Sequence, residues 1–131
     1  MNGRLLLGVD IGGTKCAVIL GLSHAGGIEI KDKVSFPTTG VDSTIADIET
    51  SIEDVLKRNM LNSRDVSAIG ISCGGPLDSS AGIVMSPPNL PGWDNIPIVR
   101  ILSERFGIPA ALHKDANASA LAEWTFGAGK G

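Results

Sequence analysis

Apolar residues along the chain fall into short runs rich in Val, Ile and Leu, and Gly or Asp separates one run from the next. This pattern is typical of strands joined by tight turns. The gaps between the first three runs are short enough for antiparallel hairpins. Strands are predicted over residues 4–11, 14–22, 27–36, 66–73 and 108–115.

Three other segments repeat apolar residues with the spacing of a helix. Helices are predicted over residues 43–60, 96–106 and 116–127. Asp42 or Ser43 is placed to cap the first helix, and Pro97 suits the first turn of the second. Gly107 suits the C-terminal cap of that second helix. The apolar face of the first helix is predicted to consist of Ile45, Ile48, Ile52, Val55 and Leu56.

The order of these elements predicts an α/β domain with a five-stranded mixed sheet. Three strands form a meander, and two parallel strands follow through helical crossovers, with helices on the faces of the sheet. Residues 78–93 are predicted to form a turn, a short strand and a Pro-rich loop. At 131 residues the chain has the length of one domain.

Composition narrows the class of protein. The formal net charge of −3 provides no basic face, so we expect no nucleic-acid partner. No apolar run approaches the roughly 20 residues of a membrane span, so we expect no membrane partner. The N-terminus lacks the pattern of a signal peptide. Cys16 and Cys73 lie in apolar runs without a neighbouring His or Cys, which favours buried, reduced thiols in a cytoplasmic protein.

A polar break, Asp10-Ile-Gly-Gly-Thr-Lys15, separates the first two predicted strands. It matches neither the Walker P-loop nor the Rossmann glycine pattern, because a strand follows the glycines. Glycines at a hairpin tip let backbone amides approach an anion, and a carboxylate beside a phosphate suits an intervening hydrated Mg²⁺. The alternative is a plain β-turn, in which Asp caps the turn and Gly supplies a positive φ.

The stretch LLLGVDIGGTKCAVIL (5–20) resembles the first phosphate motif of the actin-like ATPase and sugar-kinase fold, which is ribonuclease-H-like. GISCGGPLDSSAGIVMSPPNLPGW (70–93) and HKDANASALAEWTFGAGKG (113–131) narrow the resemblance to the ROK family of bacterial repressors, open reading frames and sugar kinases. The three motifs occur in the family's order and span nearly the whole chain. The resemblance implies a glucokinase-like lobe that uses ATP and Mg²⁺ on a hexose.

The resemblance also implies roles for single residues. In the first motif, Asp10 would orient Mg²⁺ through water, and the phosphates would meet Gly12, Gly13, Thr14 and Lys15. In the second, Gly74, Gly75 and Pro76 resemble a turn close to the sugar, and Asn89 falls in a loop that contacts it. An amide suits a sugar hydroxyl because it both donates and accepts.

Without the family, both segments of this second region would be interpreted as ordinary turns. Trp93, at the end of the loop that carries Asn89, could stack on a sugar, but we favour a role in packing the loop down.

In the third motif, the resemblance implies that Asp115 takes the proton of the attacking sugar hydroxyl. The same residue could cap the helix that follows it, and the two roles are compatible. Asn117 could orient Asp115 or stabilise the first helical turn. Lys114 departs from the family, which has a sugar-binding Asn there, because lysine donates hydrogen bonds but cannot accept them. The departure puts the identity of the sugar and catalytic competence in question.

A second lobe is expected outside these 131 residues, since the chain ends in the glycine-rich FGAGKG. The resemblance implies that this lobe carries the adenosine-binding glycines, the remaining sugar ligands and any structural zinc. We expect the full-length protein to be a homodimer and the isolated lobe to be inactive. Only nine residues precede Asp10, so we expect no DNA-binding module of the kind that family repressors have.

Two other functions compete with the sugar kinase as interpretations of the sequence. Lys114 is the best argument for a non-catalytic ROK protein that senses sugar or has a structural role. A ribonuclease-H-like nuclease would need carboxylates clustered on the first and fourth strands, and the fourth predicted strand, 66–73, has none.

Overall fold

The computed structural model describes residues 3–25 and 27–114. Two α-helices and a short 3-10 turn interrupt the strands in this part of the chain. The strands are β1 (Arg4–Ile11), β2 (Lys15–His24), β3 (Gly27–Pro37), β4 (Val66–Cys73), β5 (Leu77–Asp78), β6 (Ile83–Val84) and β7 (Ala110–Lys114). The helices are α1 (Val41–Arg58) and α2 (Ile98–Phe106), and the 3-10 turn is Ser63–Asp65.

Five of the strands form one mixed sheet in the order β3-β2-β1-β4-β7. The first three strands pair antiparallel, as the predicted meander requires, and β4 and β7 extend the sheet in parallel with β1. The predicted sheet is confirmed. Because β1, β4 and β7 run in the same direction, their C-terminal ends meet at one edge, here called the carboxyl edge. It comprises residues 12–14 and 74–76 and the end of β7 at Lys114.

The main core lies on one face of this sheet. Alternate residues of β1 and β4 point into it, and both α1 and α2 pack their apolar faces against them. Leu6 and Ala68, of opposite parity along their strands, form a second small cluster. The main core includes Leu7, Val9, Ile11, Ile48, Ile52, Val55, Ile69, Ile71, Trp93, Ile98, Leu102 and Leu112. The third predicted helix, 116–127, lies outside the described residues.

Helix α1 begins two residues earlier than predicted, and its cap was predicted wrongly. Gly40 occupies the cap position and makes no side-chain capping bond. The buried Thr44 hydroxyl instead accepts a hydrogen bond from the Thr39 amide, at 2.9 Å, and this closes the segment before the helix. Ser43 donates to the Gly40 carbonyl from within the first turn. The predicted apolar face is confirmed, with Ile45 partly buried and the rest buried.

The second half of the described chain also follows the predicted order. Pro97 stands at the cap position of α2, and Gly107 ends the helix in the left-handed conformation, with φ of 69°. Residues 77–84 form a two-stranded hairpin of β5 and β6 where a single short strand was predicted. Among the described residues, no helix is both long enough and apolar enough to span a membrane.

Candidate functional site at the carboxyl edge

The hairpin between β1 and β2 forms the first part of the carboxyl edge. Asp10 pairs with Ala17 across the two strands, and the Gly12 amide donates to the Lys15 carbonyl, at 3.2 Å, at the base of the turn. Asp10 is half-buried, whereas Gly13, Thr14 and Lys15 are exposed at the tip. The tip therefore presents backbone amides, a hydroxyl and an ammonium group to a ligand beside a carboxylate.

Gly13 is in contact with the loop that carries Asn89. A Cβ atom placed on Gly13 would lie 2.8 Å from the Asn89 carbonyl oxygen and 2.9 Å from the Asn89 Cβ. Such distances are shorter than carbon atoms tolerate, so the absence of a side chain at Gly13 is what allows the loop to approach. The structure thus brings together two predicted site residues that are 76 positions apart in the sequence.

Asn89 also reaches toward the second glycine motif. Its side-chain oxygen lies 4.0 Å from the position that a Cβ on Gly74 would occupy. Gly74 and Gly75 are half-buried and Pro76 is exposed, and the peptide bond between Gly75 and Pro76 is cis. The exposed Asn89 side chain consequently lies beside both glycine turns of the carboxyl edge.

The sheet register places the ends of the three parallel strands side by side. Ile11 pairs with Cys73, and Cys73 pairs with Lys114. Neighbouring strands lie about 4.8 Å apart, so the ends of β1 and β7 are separated by about 10 Å. Asp115 directly follows Lys114 in the sequence, but Asp115 and Asn117 lie outside the described residues. The structure describes the backbone position of Lys114 at the end of β7 and not its side chain.

The loop that carries Asn89 is attached firmly at both of its ends. Trp93 is fully buried in the main core, which confirms the packing role favoured for it, although its indole nitrogen has no hydrogen-bond partner among the described residues. Ser86 donates a hydrogen bond to the Asp94 carboxylate at 2.5 Å, and the Ser86 amide donates to the Trp93 carbonyl at 2.8 Å. These contacts hold the exposed Asn89 against the hairpin.

Thr38 contacts the turn of the hairpin between β1 and β2, and the sequence analysis did not identify it. Its hydroxyl donates to the Gly12 carbonyl at 2.6 Å, and its amide donates to the Thr14 carbonyl at 2.9 Å. The Cys16 thiol lies 3.2 Å from the same hydroxyl. The only signal in the sequence is a Thr-Thr-Gly segment after the third strand, and that segment has the composition of an ordinary loop.

Both cysteines are reduced and buried, as predicted. Burial raises the pKa of the Cys16 thiol above its ordinary value. The thiol is therefore protonated at neutral pH and brings no negative charge to the hairpin turn.

The donor set of the carboxyl edge fits a nucleotide phosphate with a hydrated divalent cation. Exposed amides of a glycine turn and the Lys15 ammonium group are ligands for phosphate oxygens. The half-buried Asp10 carboxylate suits Mg²⁺, which keeps several of its waters when it binds protein. A side chain at Gly13 would fill the space that Asn89 occupies, and one at Gly12 would lie 2.7 Å from the Lys15 carbonyl.

Comparison with known proteins identifies the family to which this fold corresponds. The family model described as "ROK family" matches residues 6–131. A glucokinase from Thermotoga maritima is 36% identical over 132 residues, which cover 96% of this chain and 38% of that protein. A xylose repressor from Caldicellulosiruptor bescii is 34% identical over 76 residues, which cover 58% of this chain and 19% of that protein.

Among solved structures, a ROK hexokinase from Thermus thermophilus superposes with a TM-score of 0.70 at 35% identity. The match covers 98% of this chain and 41% of the hexokinase. The fold is accordingly that of a ribonuclease-H-like lobe of the actin-like ATPase class. The chain belongs to the ROK family, and it spans about 38% of the length of the curated glucokinases that it matches.

Proposed function

We propose that this chain is the N-terminal lobe of an ATP-dependent hexokinase, which transfers the γ-phosphate of ATP to a hydroxyl of glucose or a related hexose. The observation that supports this most strongly is the contact between Gly13 and Asn89. A turn with the donors of a phosphate site and a loop with the amide of a sugar site meet at one edge of the sheet. A phosphotransferase needs its two substrates held in such proximity.

The nucleotide would be held by the hairpin between β1 and β2. The half-buried Gly12 and the exposed Gly13, Thr14 and Lys15 would contact phosphate oxygens, and Asp10 would hold Mg²⁺ through water. Bound Mg²⁺ supplies positive charge that neutralises the phosphate oxygens. The protein's own contribution is to position the phosphate chain before the reaction, because phosphoryl transfer proceeds through a loose transition state that responds mainly to alignment and charge.

The sugar would lie against the loop and the second glycine turn. Asn89 would both donate to and accept from sugar hydroxyls, while Gly74, Gly75 and Pro76 would form a surface without bulky side chains. Lys114, at the end of β7, would donate to a hydroxyl where related kinases have Asn. This replacement is the feature of the chain most able to alter which hexose is accepted.

Asp115 would act as the general base. It directly follows β7, and the end of β7 lies about 10 Å, two strand spacings, from the phosphate hairpin. The carboxylate would hold the sugar hydroxyl in line with the γ-phosphate and accept its proton late in the transfer. Asn117 would orient that carboxylate.

The isolated 131-residue chain is proposed to be inactive. In the two-lobe arrangement that the family resemblance implies, each lobe supplies part of each ligand site. One lobe alone would leave both ligands half-enclosed, without the exclusion of water and the alignment that the reaction needs. We propose that the full-length protein is a cytoplasmic homodimer with no nucleic-acid partner.

A coupled assay of ADP release tests the proposed activity. Purified full-length protein is given Mg·ATP with glucose, with other hexoses or with no sugar, and residues 1–131 alone are assayed in parallel. We expect sugar-dependent release of ADP from the full-length protein and none from residues 1–131. Release of ADP that does not depend on sugar would contradict the proposal.

The second candidate is a ROK protein that binds sugar without phosphorylating it. Lys114 favours this candidate, because the residue removes a hydrogen-bond acceptor next to the proposed base. The same assay separates the two functions when it is combined with calorimetric titration of glucose. Sugar binding without any turnover would support the second candidate and contradict the kinase.

A further inference from the structure

The side chain and the backbone of Thr38 each donate a hydrogen bond to a carbonyl group of the hairpin between β1 and β2. The hydroxyl donates to the Gly12 carbonyl at 2.6 Å, and the amide donates to the Thr14 carbonyl at 2.9 Å. Thr38 itself is half-buried, immediately after β3, and it belongs to none of the three motifs that carry the family resemblance.

The direction of the hydroxyl hydrogen follows from what its neighbours can do. A hydroxyl has one hydrogen, and a carbonyl oxygen can only accept, so the hydrogen of Thr38 is directed to Gly12. The thiol of Cys16, 3.2 Å away, must then donate to the Thr38 oxygen. Its burial keeps it protonated and able to do so. The side chain of Thr38 is thereby fixed in one orientation.

Fixing these carbonyls also fixes amides on the opposite side of the turn. In a trans peptide the C=O and N–H groups point in opposite directions. Because the Gly12 carbonyl faces Thr38, the Gly13 amide faces away from it. Because the Thr14 carbonyl also faces Thr38, the Lys15 amide faces away as well. Gly13 and Lys15 are both exposed residues at the tip of the hairpin.

We propose that Thr38 is a positioning residue of the nucleotide site, which aims the amides of Gly13 and Lys15 at the phosphate oxygens by holding the carbonyls of Gly12 and Thr14. The inference rests on the proposed function in assigning phosphate to the hairpin. It goes beyond it in naming a residue that never touches the nucleotide and yet sets the affinity for it.

Replacement of Thr38 by Val and by Ser isolates the hydroxyl. Valine keeps the shape and removes the bond to Gly12, whereas serine keeps the bond and removes a methyl group. In the full-length protein we expect Thr38→Val to raise the dissociation constant of Mg·ADP about tenfold, which is the loss expected for about one hydrogen bond to a charged group. The KM for ATP should rise in parallel, while the dissociation constant of glucose stays within about twofold.

Thr39→Val is the matched control. The Thr39 hydroxyl is exposed and contacts Ser43, 2.7 Å away, on the side of α1 and not of the hairpin. This variant should bind Mg·ADP as the unaltered protein does, and Thr38→Ser should restore most of the affinity that valine removes. A loss of glucose affinity equal to the loss of Mg·ADP affinity, or no rescue by serine, would show that Thr38 only stabilises the fold.

Calorimetric titration with Mg·ADP keeps the inference separate from the proposed activity. A protein that binds Mg·ADP but phosphorylates no sugar would contradict the kinase and still test Thr38. Absence of Mg·ADP binding to the unaltered protein would contradict both. If Thr38→Val does not fold, the pair Thr38→Ala and Thr38→Ser differs only in the hydroxyl, and equal Mg·ADP affinity in that pair would overturn the inference.

Discussion

Two polar regions of the molecule use their hydrogen-bonding groups in different ways. One is the carboxyl edge, with the hairpin between β1 and β2. The other, here called the junction, is the contact between Asp32 in the middle of β3 and Arg58 and Asn59 at the C-terminal end of α1. At this junction the Asp32 carboxylate accepts bonds from both side chains and from the Lys33 amide, at distances between 2.5 and 2.8 Å.

At the junction, the Asp32 carboxylate is hydrogen-bonded entirely by groups of the protein itself that the structure describes. Asp32 has a pKa well below its ordinary value, first because of the hydrogen bonds from Arg58 and then because of those from Asn59 and the Lys33 amide, against the opposing effect of desolvation. At the carboxyl edge, Thr38 instead donates hydrogen bonds to two carbonyls of the hairpin. Gly13, Thr14 and Lys15 remain exposed there. The comparison teaches that a carboxylate with a lowered pKa can be purely structural, whereas exposed donors on a fixed turn are the feature that indicates a ligand.

The largest difference between the two regions should appear when a carboxylate is neutralised at each. Asp115→Asn in the full-length protein keeps the shape and removes the proton acceptor, so kcat should fall by roughly 10²-fold or more with little change in sugar affinity. Asp32→Asn makes the same chemical change at the junction and should leave kcat within about twofold. Steady-state kinetics and glucose titration of both variants provide the measurement.

Equal kcat in the two variants would remove Asp115 from its proposed role. A fall in sugar affinity as large as the fall in kcat would point to Asp115 as a cap of the following helix and not as a base.

A smaller effect is expected at the start of the hairpin. Asp10→Ala should weaken the productive use of Mg·ATP by roughly 10–100-fold, the range observed when a group that orients a metal through its outer shell is removed. Sugar binding should survive, because Asp10 lies at the end of β1 and Asn89 is supplied by another loop. Separate titrations of Mg²⁺ and of glucose measure the two effects, and equal losses would indicate a structural role at the end of the strand.

A substitution at Gly13 tests the contact that joins the two halves of the candidate site. Gly13→Ala places a Cβ 2.8 Å from the Asn89 carbonyl oxygen, so the loop and the hairpin must move apart. We expect the KM values for ATP and for glucose to rise together, each by up to about tenfold, which corresponds to about 1.4 kcal/mol. The measurement is a kinetic titration of both substrates.

Gly40→Ala is the matched control for this substitution. A Cβ at Gly40 would lie 3.5 Å from the nearest side-chain atom, an ordinary contact, and its φ of −66° suits any residue. A rise in only one KM for Gly13→Ala would show that the two halves of the site are not coupled through this contact.

Much of the architecture could be predicted from the sequence because the signals are local. The strands carry continuous apolar runs, and Gly107 ends α2 in the left-handed conformation that glycine adopts without cost. The start of α1 was predicted wrongly because Asp42 and Ser43 are good capping residues in isolation. The Thr44 hydroxyl instead accepts a hydrogen bond from the Thr39 amide. Residue types alone do not show which of several competing partners forms the bond.

The candidate site could be predicted only in its separate parts. The glycine motif and the asparagine loop were each identified from the sequence, but their contact depends on β1 and β4 lying side by side. Thr38 was missed for the same physical reason. Its two bonds to the hairpin exist only because β3 pairs with β2 and brings residue 38 beside residue 14.

The smallest expected effect concerns stability at the junction. The pKa of Asp32 is lower in the folded protein than its value of about 3.9 in an unfolded chain. The carboxylate therefore contributes stability that is fully present above about pH 4 and is lost as the pH falls toward the lowered folded value. Asp32→Asn should lower the melting temperature at pH 7, and the difference in melting temperature from the unaltered protein should narrow below about pH 4.

Glu104→Gln is the control, because its exposed pair with Arg100, 3.5 Å apart, should contribute little at any pH. A gap that stays constant from pH 7 to low pH would mean that Asp32 stabilises the junction through shape and not through its charge.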